Sequence, residues 1–403
     1  MSFPVESVRA EFPIFRDRPF HYLDNAATAQ MPESVIAALA QFETRQRANV
    51  YGGVYRHAEA ALAAYEGARS DVARFLGAAS PGEIVFTYGT TSAINLLAHS
   101  LGQRFVPGDE VLISVLEHHS NILPWQALAR RQGVTLKILP ITQDGRLDLA
   151  ALPRLVTKRC RLIALTHCSN VTGAMTEVEP IVAAARSVGA AVFLDGAQRA
   201  PHGPLELAGL GVDFYALSGH KMFGPTGIGV LWGRQGLLAD MPPFMVGGQM
   251  IRRVTLETAE FADPPRRFEA GTPPIAAAIG LGAAVRWMER LDWKDAAGHE
   301  RRLTGRVLDA LSAIDGIRLI GPSGIDGRRG VISFALGAMS SEEVCRALDR
   351  GGVMLRHGHH CAQPLMAAFG LEGTARLSLA PYNDDEDIDA FLTALDTLLA
   401  RRA

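Results

Sequence analysis

Lys221, in Ser218-Gly219-His220-Lys221, lies just past one apolar segment, and Asp195, in Leu194-Asp195-Gly196-Ala197-Gln198, closes the apolar segment before it. An amine so placed can form a Schiff base with a carbonyl, and a carboxylate at a neighbouring strand end can pair with a protonated pyridine nitrogen. The combination fits pyridoxal 5'-phosphate. A buried carboxylate without a partner is costly, so Asp195 after the apolar run 191–194 needs such a cation. Taken singly, Asp195 also reads as a helix cap or half of a structural ion pair. Gln198, three residues on, is placed to hydrogen-bond the ring hydroxyl.

The remaining candidates fall around this pair. Gly89-Thr90-Thr91 follows one apolar segment and opens a helical one. Backbone N–H groups at a helix start, with two hydroxyls, make an anion cradle, although threonine is also an ordinary N-cap. Ser218 and His220 flank the lysine and can donate to the same phosphate. In Glu117-His118-His119-Ser120-Asn121, an imidazole can stack on the cofactor ring and move protons, or the histidines can simply cap and face solvent. Asn170 can donate to the ring oxygen, or serve only as a turn residue in Ser169-Asn170-Val171-Thr172-Gly173.

Near the C-terminus stands His357-Gly358-His359-His360-Cys361. Metal ligation is one reading, but adjacent histidines rarely converge on one ion and no second ligand cluster accompanies them. The stronger reading is a reactive cysteine on a glycine-containing loop, whose neighbouring imidazoles favour the thiolate. Arg356 and Arg376 close strand-like segments of the same region. Arginine binds carboxylates in bidentate fashion, so one or both can clamp an amino-acid carboxylate.

These residues need a scaffold. Short continuous apolar runs at 84–87, 110–114, 136–139, 162–166 and 192–194 alternate with helical segments. That pattern predicts strands buried on both faces, in a mostly parallel sheet flanked by helices. Runs at 214–217 and 228–232 are expected to pair around the lysine. Residues 241–274, rich in Gly, Pro and charge, read as a long functional loop. Two helices then run to about 313. Strands at 317–320, 331–334, 353–356 and 376–379 and a final helix over about 384–401 form a smaller α+β unit. The expected division is 1–20 packing on the small domain, 21–265 as the large cofactor-binding domain, and 266–403 as the small domain with the cysteine loop. The 403 residues suffice for this, and 48% hydrophobic composition supplies the core. A net charge of -2 gives no reason to expect nucleic acid or a membrane surface as partner. No apolar run is long enough to span a bilayer, and the N-terminus reads as no signal peptide. Four scattered cysteines suit a reducing, cytoplasmic setting.

With these residues assembled, the chain resembles the class V aminotransferase-fold cysteine desulfurases, in their SUF-type, selenocysteine-lyase-like branch. The resemblance spans nearly the whole chain. It is carried by Glu117-His118-His119-Ser120-Asn121, Asp195-Gly196-Ala197-Gln198, Ser218-Gly219-His220-Lys221, Arg267-Phe268-Glu269-Ala270-Gly271-Thr272-Pro273 and Gly358-His359-His360-Cys361-Ala362-Gln363-Pro364-Leu365. It implies a fold-type I homodimer with pyridoxal phosphate on Lys221 and His118 as stacking acid/base. Asp195, Gln198 and Asn170 would hold the ring. Thr90, Ser218 and His220 would hold the phosphate, with Thr272 reaching in from the partner subunit. Cys361 would take sulfur from L-cysteine as a persulfide, leaving alanine, while Arg376 and Arg356 bind the substrate carboxylate. A dedicated acceptor protein would collect the sulfur for Fe–S cluster assembly or another use. Selenocysteine lyase and cysteine-sulfinate desulfinase are the near alternatives, and a metal carrier built on residues 357–361 is the distant one. Two departures stand out. Tyr51-Gly52-Gly53 replaces the family's His-Arg-Gly, with Tyr55 at a further histidine position, and Arg356-His357-Gly358 replaces its Arg-Thr-Gly.

Overall fold

The computed structural model describes residues 3–16 and 20–400. Its centre is a seven-stranded sheet. In order across the sheet the strands are Ile84–Thr87, Gly229–Gly233, Phe214–Ser218, Ala191–Asp195, Cys160–Thr166, Glu110–Ser114 and Thr135–Leu139. All neighbours pair in parallel except Gly229–Gly233, which is antiparallel to both strands beside it. Alternate residues along each strand feed opposite apolar layers. Val111, Ile113, Leu162, Ala164 and Phe193 belong to one layer, and Leu112, Ile163, Leu165, Val192 and Leu194 to the other. Burial on both faces explains the continuous apolar runs, and truncating a fully buried side chain such as Phe193 to alanine should cost about 3–5 kcal/mol.

Five parallel strands close on a polar residue: Thr87, Ser114, Thr166, Asp195 and Ser218. An apolar strand that ends in a hydroxyl or carboxylate brings that group to one common sheet edge. Register fixes the neighbours there, with Asp195 between Thr166 and Ala216, and Ser218 opposite Gly229. Ligands in open α/β sheets sit at this carboxyl edge.

The C-terminal unit is a four-stranded antiparallel sheet in the order Ile317–Ile320, Val331–Leu336, Thr374–Ser378, Arg356–Gly358. Helices Trp293–Ser312, Ser341–Asp349 and Asp385–Ala400 pack with it around one apolar cluster. A capping box, Ser340 with Glu343, starts the second of these helices. Two contacts fasten the unit to the sheet edge: Ser333 Oγ donates to the Val171 carbonyl at 2.7 Å, and Arg376 Nη1 to the Asn170 carbonyl at 2.9 Å. The N-terminal helix Val5–Ala10 is tied to the last helix, Arg9 Nη1 lying 2.9 Å from the buried Asp387 carboxylate.

Two sequence expectations need revision. Within 241–274 the chain forms a hairpin, Ile251–Val254 with Ala259–Phe261. Its strands are largely exposed and carry no apolar alternation, so only backbone hydrogen bonds reveal them. The stretch 353–356 is divided between two partners. Val353–Met354 pairs with His21–Tyr22, whereas Arg356–Gly358 joins the small sheet.

Candidate active site

The helix Thr90–Ser100 starts at the sheet edge behind Gly89, whose φ of +140° suits glycine. A Cβ built on Gly229 would lie 2.5 Å from Gly89 Cα, so this close backbone contact requires glycine at 229. The Thr90 N–H donates to Ser218 Oγ at 2.9 Å, and the Thr90 and Ser218 hydroxyls are 2.8 Å apart. Thr91 Oγ1 is 2.7 Å from Ser120 Oγ. His220 Nδ1 lies 3.2 Å from Thr28 Oγ1; burial, then the charge of Lys221, lowers its pKa to about 4 and keeps the ring neutral. The result is a helix N-terminus ringed by hydroxyls.

A cavity of about 290 Å³ opens beside this cradle. Thr90, Thr91, His118, Asn170, Asp195, Gln198, Ser218, His220, Lys221, Arg356, Cys361 and Arg376 all line it. Gly89 stands just behind the lining. Thr272 is exposed and outside it.

Lys221 is half-buried at the cavity wall, and desolvation lowers its pKa to about 8, with the Asp195 charge as counterweight. Burial pushes the Asp195 carboxyl up. One of its oxygens accepts the Ala197 N–H at 3.0 Å. Gln198 Nε2 donates to the Ala26 carbonyl at 2.7 Å, and Asn170 Nδ2 to the His360 carbonyl at 2.7 Å. His118 Nδ1 accepts the Ser120 N–H at 3.1 Å. Burial, followed by the Lys221 charge, takes the His118 pKa to about 4. A neutral ring that accepts at Nδ1 carries its proton on Nε2. An anion cradle at one end, a buried carboxylate at the other and a desolvated amine with depressed pKa between them fit a phosphorylated pyridine aldehyde.

The opposite wall belongs to the small domain. Cys361 is exposed, whereas Cys160, Cys168 and Cys345 are buried. His360 and Cys361 both adopt left-handed backbone, with φ of 51° and 55°. His360 Nε2 lies 2.9 Å from Thr374 Oγ1, and burial lowers its pKa to about 2. His119 is also shifted down, chiefly by burial. Neutral rings at 119 and 360 lend the cysteine no positive charge. The cations on this wall are the guanidiniums. Arg376 is buried and its Nε has no partner, while Arg356 is half exposed. Asp24 lies between them, 2.9 Å from Arg356 Nη2 and 3.4 Å from Arg376 Nη2. Among the described residues no group of three His, Cys, Asp or Glu side chains could hold a metal ion. The histidines of 357–361 diverge, His360 turning in to Thr374 and His359 bonding the Cys361 N–H.

Comparison with known proteins decides the family. The aminotransferase class-V model matches residues 21–391. The chain belongs to that family. It is 45% identical over 404 residues to a cysteine desulfurase of Pectobacterium atrosepticum, covering 99% of this chain and 98% of that one. A probable cysteine desulfurase of Pseudomonas aeruginosa is 44% identical, with 97% of both chains covered. Among solved structures, the cysteine desulfurase CsdA of Escherichia coli in its S-sulfonic acid form superposes with a TM-score of 0.92 at 39% identity, and the apo cysteine desulfurase of Thermococcus onnurineus NA1 with 0.95 at 38%; each covers 99% of both chains. This class-V fold is pyridoxal-phosphate-dependent, in agreement with the fit of the cavity.

Sequence reasoning passed over several residues of this cavity and its walls. Ala26 and Ala27 floor the cavity and Thr166 lines it. Asp24 was missed because its partners are more than three hundred positions away, leaving no local signal beyond a polar pair, Asp24-Asn25, inside an apolar stretch.

Proposed function

We propose that this chain is a cysteine desulfurase that converts L-cysteine to L-alanine and passes the sulfur to Cys361 as a persulfide. The observation that carries the reading is one cavity bounded by a half-buried lysine from the large domain and the one exposed cysteine among the described residues, from the small domain. Pyridoxal phosphate, when bound, supplies the electron sink that lets the Cα–H bond of an amino acid break. Thr90, Thr91, Ser218 and His220, with the backbone behind Gly89, are assigned to its phosphate; Asp195 to its ring nitrogen; Gln198 and Asn170 to its oxygen.

Arg376, with Arg356, receives the substrate carboxylate and so orients the amino acid. Lys221, with a pKa of about 8, holds enough neutral amine near neutral pH to take the Cα proton at Nζ. The Cys361 sulfur attacks the substrate sulfur: the Cβ–S bond breaks, an S–S bond forms, and the electron pair of the broken bond stays with carbon. Cβ then takes up a proton, for which Nε2–H of His118 is the nearby neutral donor, and Lys221 Nζ returns its proton to Cα. Cysteine plus enzyme thiol thus becomes alanine plus enzyme persulfide, with no outside oxidant. An exposed Cys361 also suits a protein acceptor that collects the sulfur, and the exposed Thr272 suits a second subunit whose phosphate site it completes.

The test is a visible spectrum of the purified protein followed by L-cysteine with and without reductant. Alanine and sulfide in equal amounts are expected. Cys361→Ala should keep the cofactor spectrum and lose sulfide release; undiminished release would sink the assignment of Cys361. Cysteine sulfinate and selenocysteine, offered to both proteins, measure how far the thiol is needed when the leaving group departs more readily.

A further inference from the structure

His118 and His119 are sequence neighbours with opposite proton arrangements. His118 accepts at Nδ1 and carries its proton on Nε2. His119 Nε2 accepts the backbone N–H of Gln363 at 3.2 Å, which places its own proton on Nδ1. The His119 backbone N–H donates to the Cys361 carbonyl at 2.7 Å. The His119 ring lies 5.5 Å from that of His359, tilted by 39°. His359 Nδ1 in turn accepts the Cys361 N–H at 3.0 Å. Both peptide groups of Cys361, and the N–H two positions on, therefore end on the His119–His359 pair.

The loop needs such restraint. Two successive residues with Cβ atoms, His360 and Cys361, stand in left-handed backbone that such residues rarely adopt. Contacts from the large domain restrain its backbone: Asn170 Nδ2 donates to the His360 carbonyl, His119 N–H donates to the Cys361 carbonyl, and His119 Nε2 accepts the Gln363 N–H. Desolvation keeps the His119 lone pair free to accept.

We infer that His119 is a positioning residue: its Nε2 and backbone N–H together hold the strained Cys361 loop against the cofactor domain at the distance sulfur transfer requires. The inference rests on the cysteine desulfurase reading. Its test uses the holoenzyme as wild type, His119→Ala and His119→Gln, since the glutamine Oε1 can accept the Gln363 N–H. Two measurements are made, kcat and KM with L-cysteine, and backbone amide exchange by mass spectrometry. His119→Ala should lose about tenfold in kcat, the scale of one lost hydrogen bond, with KM little changed and the cofactor spectrum intact. Amide exchange should quicken in the 359–363 peptide and nowhere else. His119→Gln should restore both. Wild-type exchange in the alanine variant, or a glutamine variant as impaired as alanine, would overturn the inference. Should wild type itself not turn over L-cysteine, the functional reading fails while the exchange data still judge the clamp.

Discussion

The two walls of the cavity are built on opposite principles. The large-domain wall is the end of a sheet: Asp195, Ser218 and Thr166 are locked by strand register, and Lys221 stands half-buried beside them. The small-domain wall is a short loop with two left-handed non-glycine residues and an exposed thiol, beside the strand that carries Arg376; His360 Nδ1 and Arg376 Nε are buried without partners. One wall is preorganised to hold a large rigid group. The other is held by contacts borrowed across the domain boundary and keeps one donor, Arg376 Nε–H, in reserve for a ligand. Binding and proton transfer reward fixed geometry, whereas a thiol that must attack and then hand on sulfur has to remain accessible.

The largest expected effect separates the walls outright. Lys221→Ala removes the amine, and activity with L-cysteine should fall by roughly 10⁴-fold or more, as for the loss of one member of a catalytic unit. Alkylation of Cys361 by iodoacetamide should proceed at the wild-type rate. A Lys221→Ala protein whose Cys361 also became unreactive would mean that the walls are not independent.

The next effect ranks the two arginines within the small-domain wall. Arg376 is buried and Arg356 half exposed. Arg376→Lys keeps the charge but loses the planar fork, and KM for L-cysteine should rise about 10–100-fold, the worth of a charged bidentate bond. Arg356→Lys, screened by water, should raise it less than about fivefold. The reverse order would place the substrate carboxylate on the outer arginine.

The same contrast explains what could be read without coordinates. Apolar runs ending in Thr87, Ser114, Thr166, Asp195 and Ser218 announced the sheet and its functional edge, because strand periodicity is local. Lys221 and Asp195 followed from their places relative to those runs. The small-domain wall was legible only as residue types. That Cys361 matters could be read from its setting; that His119 carries its loop could not, because nothing in Glu117-His118-His119 marks a partner near position 361. Asp24 and the divided stretch 353–356 were hidden for the same reason: their partners are set by tertiary pairing. The exposed hairpin at 251–261 lacks any apolar period to betray it.

The smallest expected effect probes how rigid the large-domain wall is. Glu117 anchors the turn from which His118 and His119 project. It is fully buried, bonded to the Ser114 hydroxyl and accepting from Asn121 Nδ2 at 2.6 Å, while Asn121 Oδ1 accepts from Trp125 at 2.8 Å. Burial raises its pKa to about 8, so the folded protein holds Glu117 as a neutral acid at neutral pH. Between the ordinary carboxyl value and about 8 the folded state binds a proton that the unfolded state has released. Stability from this site therefore falls as pH rises through that window. Glu117→Gln keeps the shape, can accept from Asn121 and donate to Ser114, and has no proton to lose. Its melting temperature should match wild type near pH 5 and exceed it by about 2–4 °C near pH 9. A difference that does not change with pH would mean that Glu117 is charged in the fold, and that the turn carrying His118 and His119 is held by a buried anion rather than by a neutral hydrogen-bond network.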